Sequence, residues 1–190
     1  DPEGDMIDNS DHSDGSNDDS VVAGAGDDSV VSGLGDDTVF GNDGDDTMLG
    51  GAGDDIINGE AGDDVIILED GFGNDTLTGG ETSETGGDTL DLSATTTGVT
   101  VDLSDANPET GSVSDGTDTA TFTEIENIIL GGDSAGGGLA LVLLAQITAL
   151  GLPKPVLTIA LSPLTDLTTS GANVSDALNN VPSVTVDVDG

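Results

Sequence analysis

The chain has 190 residues, 39 acidic side chains and a single basic side chain, Lys154, so its formal net charge is −38. With one lysine and no arginine it cannot neutralise phosphates, which excludes nucleic acid as a partner, and anionic membrane surfaces should repel it. Because cysteine is absent, disulfides and thiolate metal sites are excluded as well. Thirty-four acids lie in residues 1–130 and five in residues 131–190, which predicts two regions with different physical properties.

Residues 1–16 form an acidic lead-in that we expect to be partly disordered without metal. The lead-in has neither the basic nor the apolar segment of a cleavable signal, so we expect no such signal in this chain. It contains the only histidine, His12.

From residue 17 the sequence repeats with a period of nine. The triplet Gly-Asp-Asp recurs at 26–28, 35–37, 44–46, 53–55 and 62–64, and Asn-Asp-Asp at 17–19 lies one step upstream. The unit 50–58 reads Gly-Gly-Ala-Gly-Asp-Asp-Ile-Ile-Asn, and we number its residues as positions 1 to 9. Position 8 is apolar in every unit: Val21, Val30, Val39, Met48, Ile57 and Ile66. Three-residue strands such as 56–58, joined by glycine turns around a narrow core, predict a parallel β-solenoid.

After residue 67 the period loosens. The stretches 73–77 (Gly-Asn-Asp-Thr-Leu) and 86–90 (Gly-Gly-Asp-Thr-Leu) are expected to be the last turns, with bulged loops such as the insert 81–85 between them. Because the inserts change the spacing, we expect the pairing of turns eighteen residues apart to fail after Asp64.

The repeated unit resembles the RTX (hemolysin-type) calcium-binding repeat, Gly-Gly-x-Gly-x-Asp-x-aliphatic-x, which residues 50–58 match at every defined position. The resemblance covers about residues 14–92. It implies a parallel β-roll in which two units make one coil, so that units two apart stack on the same edge. It also implies a secreted bacterial-type protein, a larger secreted parent protein, and folding that is driven by calcium.

The repeat offers only carboxylates and turn carbonyls, the oxygen ligands that calcium prefers, whereas zinc and copper favour nitrogen and sulfur. By resemblance, the position-6 aspartate of one unit faces the turn two units away, and about four or more calcium ions are expected. These aspartates are Asp19, Asp28, Asp37, Asp46, Asp55, Asp64, Asp75 and Asp88. Carbonyl ligands are expected near Gly24, Gly26, Gly33, Gly35, Gly44, Gly51, Gly53 and Gly62. The position-5 acids should contribute mainly carbonyls, and their side chains should form a solvated negative face: Asp27, Asp36, Asp45, Asp54 and Asp63.

Residues 93–130 are predicted to continue and cap the roll with further strands. Val99, Val101 and Leu103 alternate with polar residues, which indicates a strand, and 119–123 and 125–130 indicate two more.

The segment 132–136 reads Gly-Asp-Ser-Ala-Gly, follows an apolar strand and precedes a helical pattern over 139–150. Together with 161–167 it resembles the hormone-sensitive-lipase branch of the α/β-hydrolases, which implies Ser134 as the nucleophile and the Ala135 N–H in the oxyanion hole. No histidine follows Ser134, and no His-Gly-Gly-Gly motif precedes it. A serine without a base is a weak nucleophile. Residues 139–150 are also too short to span a membrane.

We therefore predict a mainly β protein, a parallel β-roll (β-solenoid) over 17–92 capped by 93–130, with a small strand–helix–strand α/β segment over 131–190. That segment is expected to be an incomplete hydrolase-like fragment, and the function to be non-catalytic calcium binding outside the cell. The alternative is a carboxylic-ester hydrolase that uses Ser134. A third interpretation is an artificial fusion, with its junction at 130–132.

Overall fold

The computed structural model describes residues 3–9, 17–103, 105, 107, 109–130, 156–158 and 185–187. The helix expected at 139–150 lies outside these residues, as do Ser134 and His12. The described residues contain strands and turns and no helix. The strands of the repeats and of the preceding segment are β1 Met6–Asp8, β2 Ser20–Ala25, β3 Ser29–Leu34, β4 Thr38–Asp43, β5 Thr47–Ala52, β6 Ile56–Ala61, β7 Val65–Ile67, β8 Thr76–Thr78 and β9 Thr89–Asp91. The later strands are β10 Thr100–Asp102, β11 Gly111–Ser114, β12 Thr119–Thr123, β13 Asn127–Ile129, β14 Val156–Thr158 and β15 Thr185–Asp187.

Consecutive strands of the repeats alternate between two sheets. Sheet A has the order β1-β3-β5-β7-β9-β13-β14, and sheet B the order β15-β10-β11-β12-β8-β6-β4-β2. Strands two apart in sequence pair in parallel, so that Val39 lies opposite Ile57 and Val30 opposite Met48. Two units therefore make one coil, and the protein is mainly β with parallel sheets that are consistent with a β-roll.

The regular strands are longer than the sequence predicts. Strands β2 to β6 have six residues each, running from position 7 of one unit to position 3 of the next. The expected length of three residues is wrong here, because positions 2 and 3 of the next unit also pair with the adjacent coil, as Gly33 does with Gly51. Among the strands of the repeats, β7 to β9, beside the inserts, have three residues.

A single file of apolar side chains fills the space between the sheets. Each strand of the repeats contributes its position-8 residue, and all of these are buried: Val21, Val30, Val39, Met48, Ile57, Ile66, Leu77 and Leu90. The file continues through Phe122, which pairs with Leu77, and Ile128, which pairs with Leu90. Because the core is so narrow, each coil depends on its neighbours for burial.

Both sheets extend beyond the repeats. In sheet B, β12 pairs with β8 and forms an antiparallel ladder with β11, a strand that the sequence pattern did not indicate. In sheet A, β13 pairs with β9. The backbones of β14 and β15 pair in parallel with β13 and β10. At the other end β1 pairs with β3, so part of the lead-in expected to be disordered belongs to sheet A. The described residues contain no helix that is long and apolar enough to cross a membrane.

Candidate metal centre

The position-6 aspartates lie in the turns directly before the strands, and we call them the inner row. Asp19 is partly buried. The other seven expose at most 4% of their surface: Asp28, Asp37, Asp46, Asp55, Asp64, Asp75 and Asp88. Because position 8 points into the core, position 6 on the same strand face also points inward. The repeat therefore places one carboxylate per unit inside the protein.

Inner-row aspartates are joined by hydrogen bonds from coil to coil. The Asp19 N–H donates to Asp37 Oδ1 at 2.7 Å, and the Asp37 N–H donates to Asp55 Oδ1 at 2.8 Å. The backbone carbonyl of Asp37 faces the same following coil, where it accepts the Ile56 N–H at 2.8 Å. Two parallel stacks result. The stack beside sheet B contains Asp19, Asp37, Asp55 and Asp75, and the stack beside sheet A contains Asp28, Asp46, Asp64 and Asp88.

The inserts do not interrupt these stacks. The Asp55 N–H donates to Asp75 Oδ1 at 2.9 Å across 20 residues, and the Asp64 N–H donates to Asp88 Oδ1 at 2.8 Å across 24 residues. The spacing of eighteen residues is lost after Asp64, as expected. The expectation that the aspartates stop pairing there is wrong, because the hydrogen bonds between adjacent coils continue. The extra residues bulge out of the turns, and the strand register is kept because Thr76 lies opposite Ile56.

In six of the eight inner-row aspartates, one carboxylate oxygen has no hydrogen-bond partner within the part of the chain that the structure describes. Among the described residues this holds for the Oδ2 atoms of Asp28, Asp37, Asp46, Asp55, Asp64 and Asp88. Burying an anionic oxygen without a partner is unfavourable, so such a group either takes up a proton or binds a cation. These oxygens therefore point to a ligand that the polypeptide does not supply.

The pKa values of the inner row are raised for the same reason. Burial raises the pKa of Asp46 to about 6, that of Asp55 and Asp64 to about 7, and that of Asp88 to about 8. Burial likewise raises the pKa of Asp75 to about 7, and it raises the pKa of Asp37. Neighbouring carboxylates of the row add to these shifts. A bound divalent cation would reverse the effect, since an opposite charge favours the ionised form.

Glycines leave room beside the orphaned oxygens. A Cβ atom at Gly50 would collide with Asp55 Oδ2, and a Cβ atom at Gly59 would collide with Asp64 Oδ2. At the turns, Gly53 has φ +135°, and a Cβ atom there would collide with the carbonyl oxygen of Gly35 in the coil before. All eight glycines near which carbonyl ligands are expected have a positive φ: Gly24, Gly26, Gly33, Gly35, Gly44, Gly51, Gly53 and Gly62. Carboxylate and carbonyl oxygens are the ligands of a hard cation such as calcium.

The position-5 aspartates form an outer row with hydrogen bonds in the opposite direction. The Asp54 N–H donates to Asp36 Oδ1 at 2.9 Å, so here the carboxylate belongs to the earlier coil. At the end of the row, Asp63 accepts N–H groups from Thr85, Gly86 and Gly87, and these bonds hold its pKa well below its usual range. The row is largely exposed, as expected, but its side chains also bind the backbone of the next turn.

Two acids that the sequence analysis missed extend the stack beside sheet A. Asp5 precedes β1, and its N–H donates to Asp28 Oδ1 at 2.5 Å. Glu126 precedes β13, and its Oε2 accepts the Asp88 N–H at 2.6 Å. Each lies two residues before an apolar residue that packs in the core, Ile7 or Ile128. This order, an acid followed by any residue and then an apolar residue, is the sequence signal that could have identified them. Beside sheet B the corresponding residue is Ala120, so that stack ends at Asp75.

These features define a glycine-rich parallel β protein with rows of buried aspartates whose free oxygens suit calcium. Comparison with protein families agrees with this class. Residues 13–48, 40–72 and 67–92 match the RTX calcium-binding nonapeptide repeat, so residues 13–92 are RTX calcium-binding repeats. Such repeats bind calcium ions and are typical of secreted bacterial proteins.

The second part of the chain has a different family match. Residues 110–188 match the alpha/beta hydrolase fold, a wider range than the segment 131–170 that carries the resemblance in the sequence. The first residues of this match, 110–130, contain β11 to β13, which continue the two sheets of the repeats. A comparison with curated proteins gives no match.

Proposed function

We propose that residues 17–92 form a non-catalytic β-roll that folds when it binds extracellular calcium. One observation carries this proposal: six buried inner-row carboxylates each keep one oxygen without a hydrogen-bond partner among the described residues. The inner-row aspartates, with carbonyl oxygens near the turn glycines, would hold about four or more ions.

The charge of the chain supports a folding role for the ion. Residues 1–130 contain 34 acids and no lysine or arginine, so the stacked aspartates repel one another without a cation. The core is one side chain wide, which leaves little apolar burial to oppose this repulsion. The binding free energy of calcium then becomes folding free energy. At ten times its Kd, each bound ion would contribute about 1.4 kcal/mol.

A circular-dichroism titration tests the proposal. Calcium should convert a coil spectrum in chelator into a β spectrum, with a midpoint on the order of 10⁻⁴ to 10⁻³ M, as in extracellular modules. Magnesium at equal concentration should produce no such change, because it requires a smaller octahedral site and retains its water. A β spectrum in chelator that calcium leaves unchanged would refute the proposal.

The family match of residues 110–188 favours a second candidate, an ester hydrolase that uses Ser134 as nucleophile. Activity on a short-chain p-nitrophenyl ester in millimolar calcium, lost in Ser134→Ala and kept in the control Ser162→Ala, would establish it. Absence of activity in the folded, calcium-loaded chain would support the non-catalytic proposal instead.

A further inference from the structure

An acidic cluster lies at the C-terminal end of the stack beside sheet A. Glu84 comes from the insert 81–85, Asp88 from the last turn of the repeats, and Glu126 from the turn before β13. One carboxylate oxygen of each residue lies within 4.8 Å of the other two. We propose that these three side chains bind an additional calcium ion, at a site that the nine-residue pattern does not contain. The choice of ion rests on the proposed function.

Two carboxylate oxygens of this cluster are enclosed without a hydrogen-bond partner among the described residues. Asp88 is completely buried, and its Oδ2 has no partner among the described residues. Glu84 Oε1 is also enclosed and has no partner there. Lys154 is the only lysine or arginine of the chain, so residues 1–130 supply neither side chain to neutralise three neighbouring carboxylates. Compensation must therefore come either from protons taken up by the carboxyl groups or from a cation bound from solution, and a cation can satisfy all three groups at once.

The backbone around the cluster is held in place by specific contacts. Glu126 Oε2 accepts the Asp88 N–H, and the Asn127 N–H donates to Asp88 O at 2.9 Å. The Asn127 side chain donates to the carbonyls of Gly86 and Gly87 at 3.1 and 3.2 Å. A Cβ atom at Gly87 would lie 2.6 Å from Glu126 Oε2, so the turn needs glycine here. The carboxylates are thus presented by a fixed frame, as a metal site requires.

The donor set fits calcium better than a smaller ion. All three side chains offer oxygen, and carboxylates that bind through one or both oxygens can reach the six to eight ligands that calcium takes. Glu81 and Glu109 form a second group with Glu126, again within 4.8 Å, and they add negative charge beside the site. The charge count should strengthen affinity for a divalent cation.

The position of the site gives it a distinct role. It joins the insert, the last repeat and the first strand of sheet A beyond the repeats, so calcium would fasten residues 93–130 to the roll. The stack beside sheet B has no equivalent, because Ala120 occupies the place that Glu126 occupies beside sheet A. The insert Glu81–Thr85 thus contributes a ligand to one edge only.

The test is a count of bound calcium ions on the full chain by equilibrium dialysis, with affinities from calorimetry. Glu84→Gln should remove one ion, or weaken one site by roughly tenfold or more, because a carboxylate ligand is lost. Within the part of the chain that the structure describes, Glu84 Oε1 has no hydrogen-bond partner, so this variant should fold. Glu69→Gln, an exposed glutamate after β7, is the matched control and should bind as many ions as the parent chain.

A second readout separates ion binding from a merely structural effect. The slope of the melting temperature against the logarithm of calcium concentration depends on the number of ions bound. Glu84→Gln should lower this slope, whereas a structural defect would lower the melting temperature at every concentration and leave the slope unchanged. If the parent chain binds calcium and Glu84→Gln matches it in ion number, affinity and slope, the additional site is refuted. If the parent chain binds no calcium, the proposed function itself fails.

Discussion

Two neighbouring rows of aspartates, built from the same residue type, have opposite environments in this protein. Asp55 in the inner row is buried, its Oδ2 has no hydrogen-bond partner among the described residues, and burial raises its pKa to about 7. Asp54 in the outer row is exposed, and its Oδ1 accepts the Asn74 N–H at 2.9 Å. The difference teaches that the fold, rather than the residue type, decides which carboxylate needs a cation.

The two isoleucines after Asp55 likewise divide into one exposed and one buried residue. Ile57 exposes 1% of its surface and belongs to the core file, whereas the adjacent Ile56 exposes 51%. The unit 50–58 therefore carries an exposed and a buried copy of the same two residue types, Asp54 with Asp55 and Ile56 with Ile57. This arrangement provides pairs of substitutions in which one member is the control for the other.

The largest effect is expected in the core. Ile57→Ala should lower the free energy of unfolding in calcium by about 2–5 kcal/mol, because it leaves a cavity in a core one side chain wide. Ile56→Ala should change it by less than about 0.5 kcal/mol, as for other surface positions. Urea unfolding in saturating calcium measures both. Equal losses would contradict the division between exposed and buried positions.

The next effect concerns the ion. Asp55→Asn keeps an acceptor for the Asp37 N–H but replaces the unpaired Oδ2 with an amide, so the calcium midpoint of folding should rise by at least about tenfold, or ~1.4 kcal/mol. Asp54→Asn should shift the midpoint by less than about twofold, since it removes an exposed charge. Calcium titrations followed by circular dichroism compare the two variants. A larger shift for Asp54→Asn would reverse the assignment of the rows.

The inner row also predicts opposite pH dependence with and without calcium. Burial raises the pKa of Asp46 to about 6 and that of Asp88 to about 8, so folding without calcium takes up protons. That stability is fully present below about pH 4, the unfolded value, and is lost as pH rises through 6 to 8. Asp63 in the outer row has a lowered pKa and does not titrate in this window.

In calcium the direction reverses, because protons compete with the ion for the same carboxylates. The calcium midpoint should therefore rise severalfold between pH 8 and pH 6, a smaller effect than that of Asp55→Asn. In chelator, the β signal should instead increase as the pH falls from 8 to 4. Spectra in chelator and in calcium at each pH measure both trends, and parallel trends would show that the inner row does not bind the ion.

The regular part of the protein could be predicted from the sequence because its period is short and strict. The apolar residue at position 8 indicated the core file through Ile57, and the resemblance to the RTX repeat implied that the position-6 aspartate, such as Asp55, faces the turn two units away. The strand length was underestimated, because glycine-rich positions such as Gly51 carry no side-chain signal for pairing, although their backbone pairs with the adjacent coil.

The two ends of the array could not be predicted from spacing alone. Asp5 and Glu126 join the inner-row stack through contacts across 23 and 38 residues, and inserts of irregular length hide their phase. The strands keep their register although the sequence spacing changes, since Leu90 lies opposite Ile66 on one side and Ile128 on the other. The hydrogen bonds of the outer row likewise depend on how adjacent coils stack. The nine-residue period gives the spacing of the units but not the atoms that meet between coils.

Crystals of the calcium-loaded chain, measured for the anomalous scattering of calcium, test the central claim most directly. Anomalous peaks are expected beside the inner-row carboxylates, within about 2.3–2.6 Å of oxygens such as Asp55 Oδ2, the usual calcium–oxygen distance. Peaks confined to the outer row beside Asp54, or no peaks within the turns at all, would contradict it.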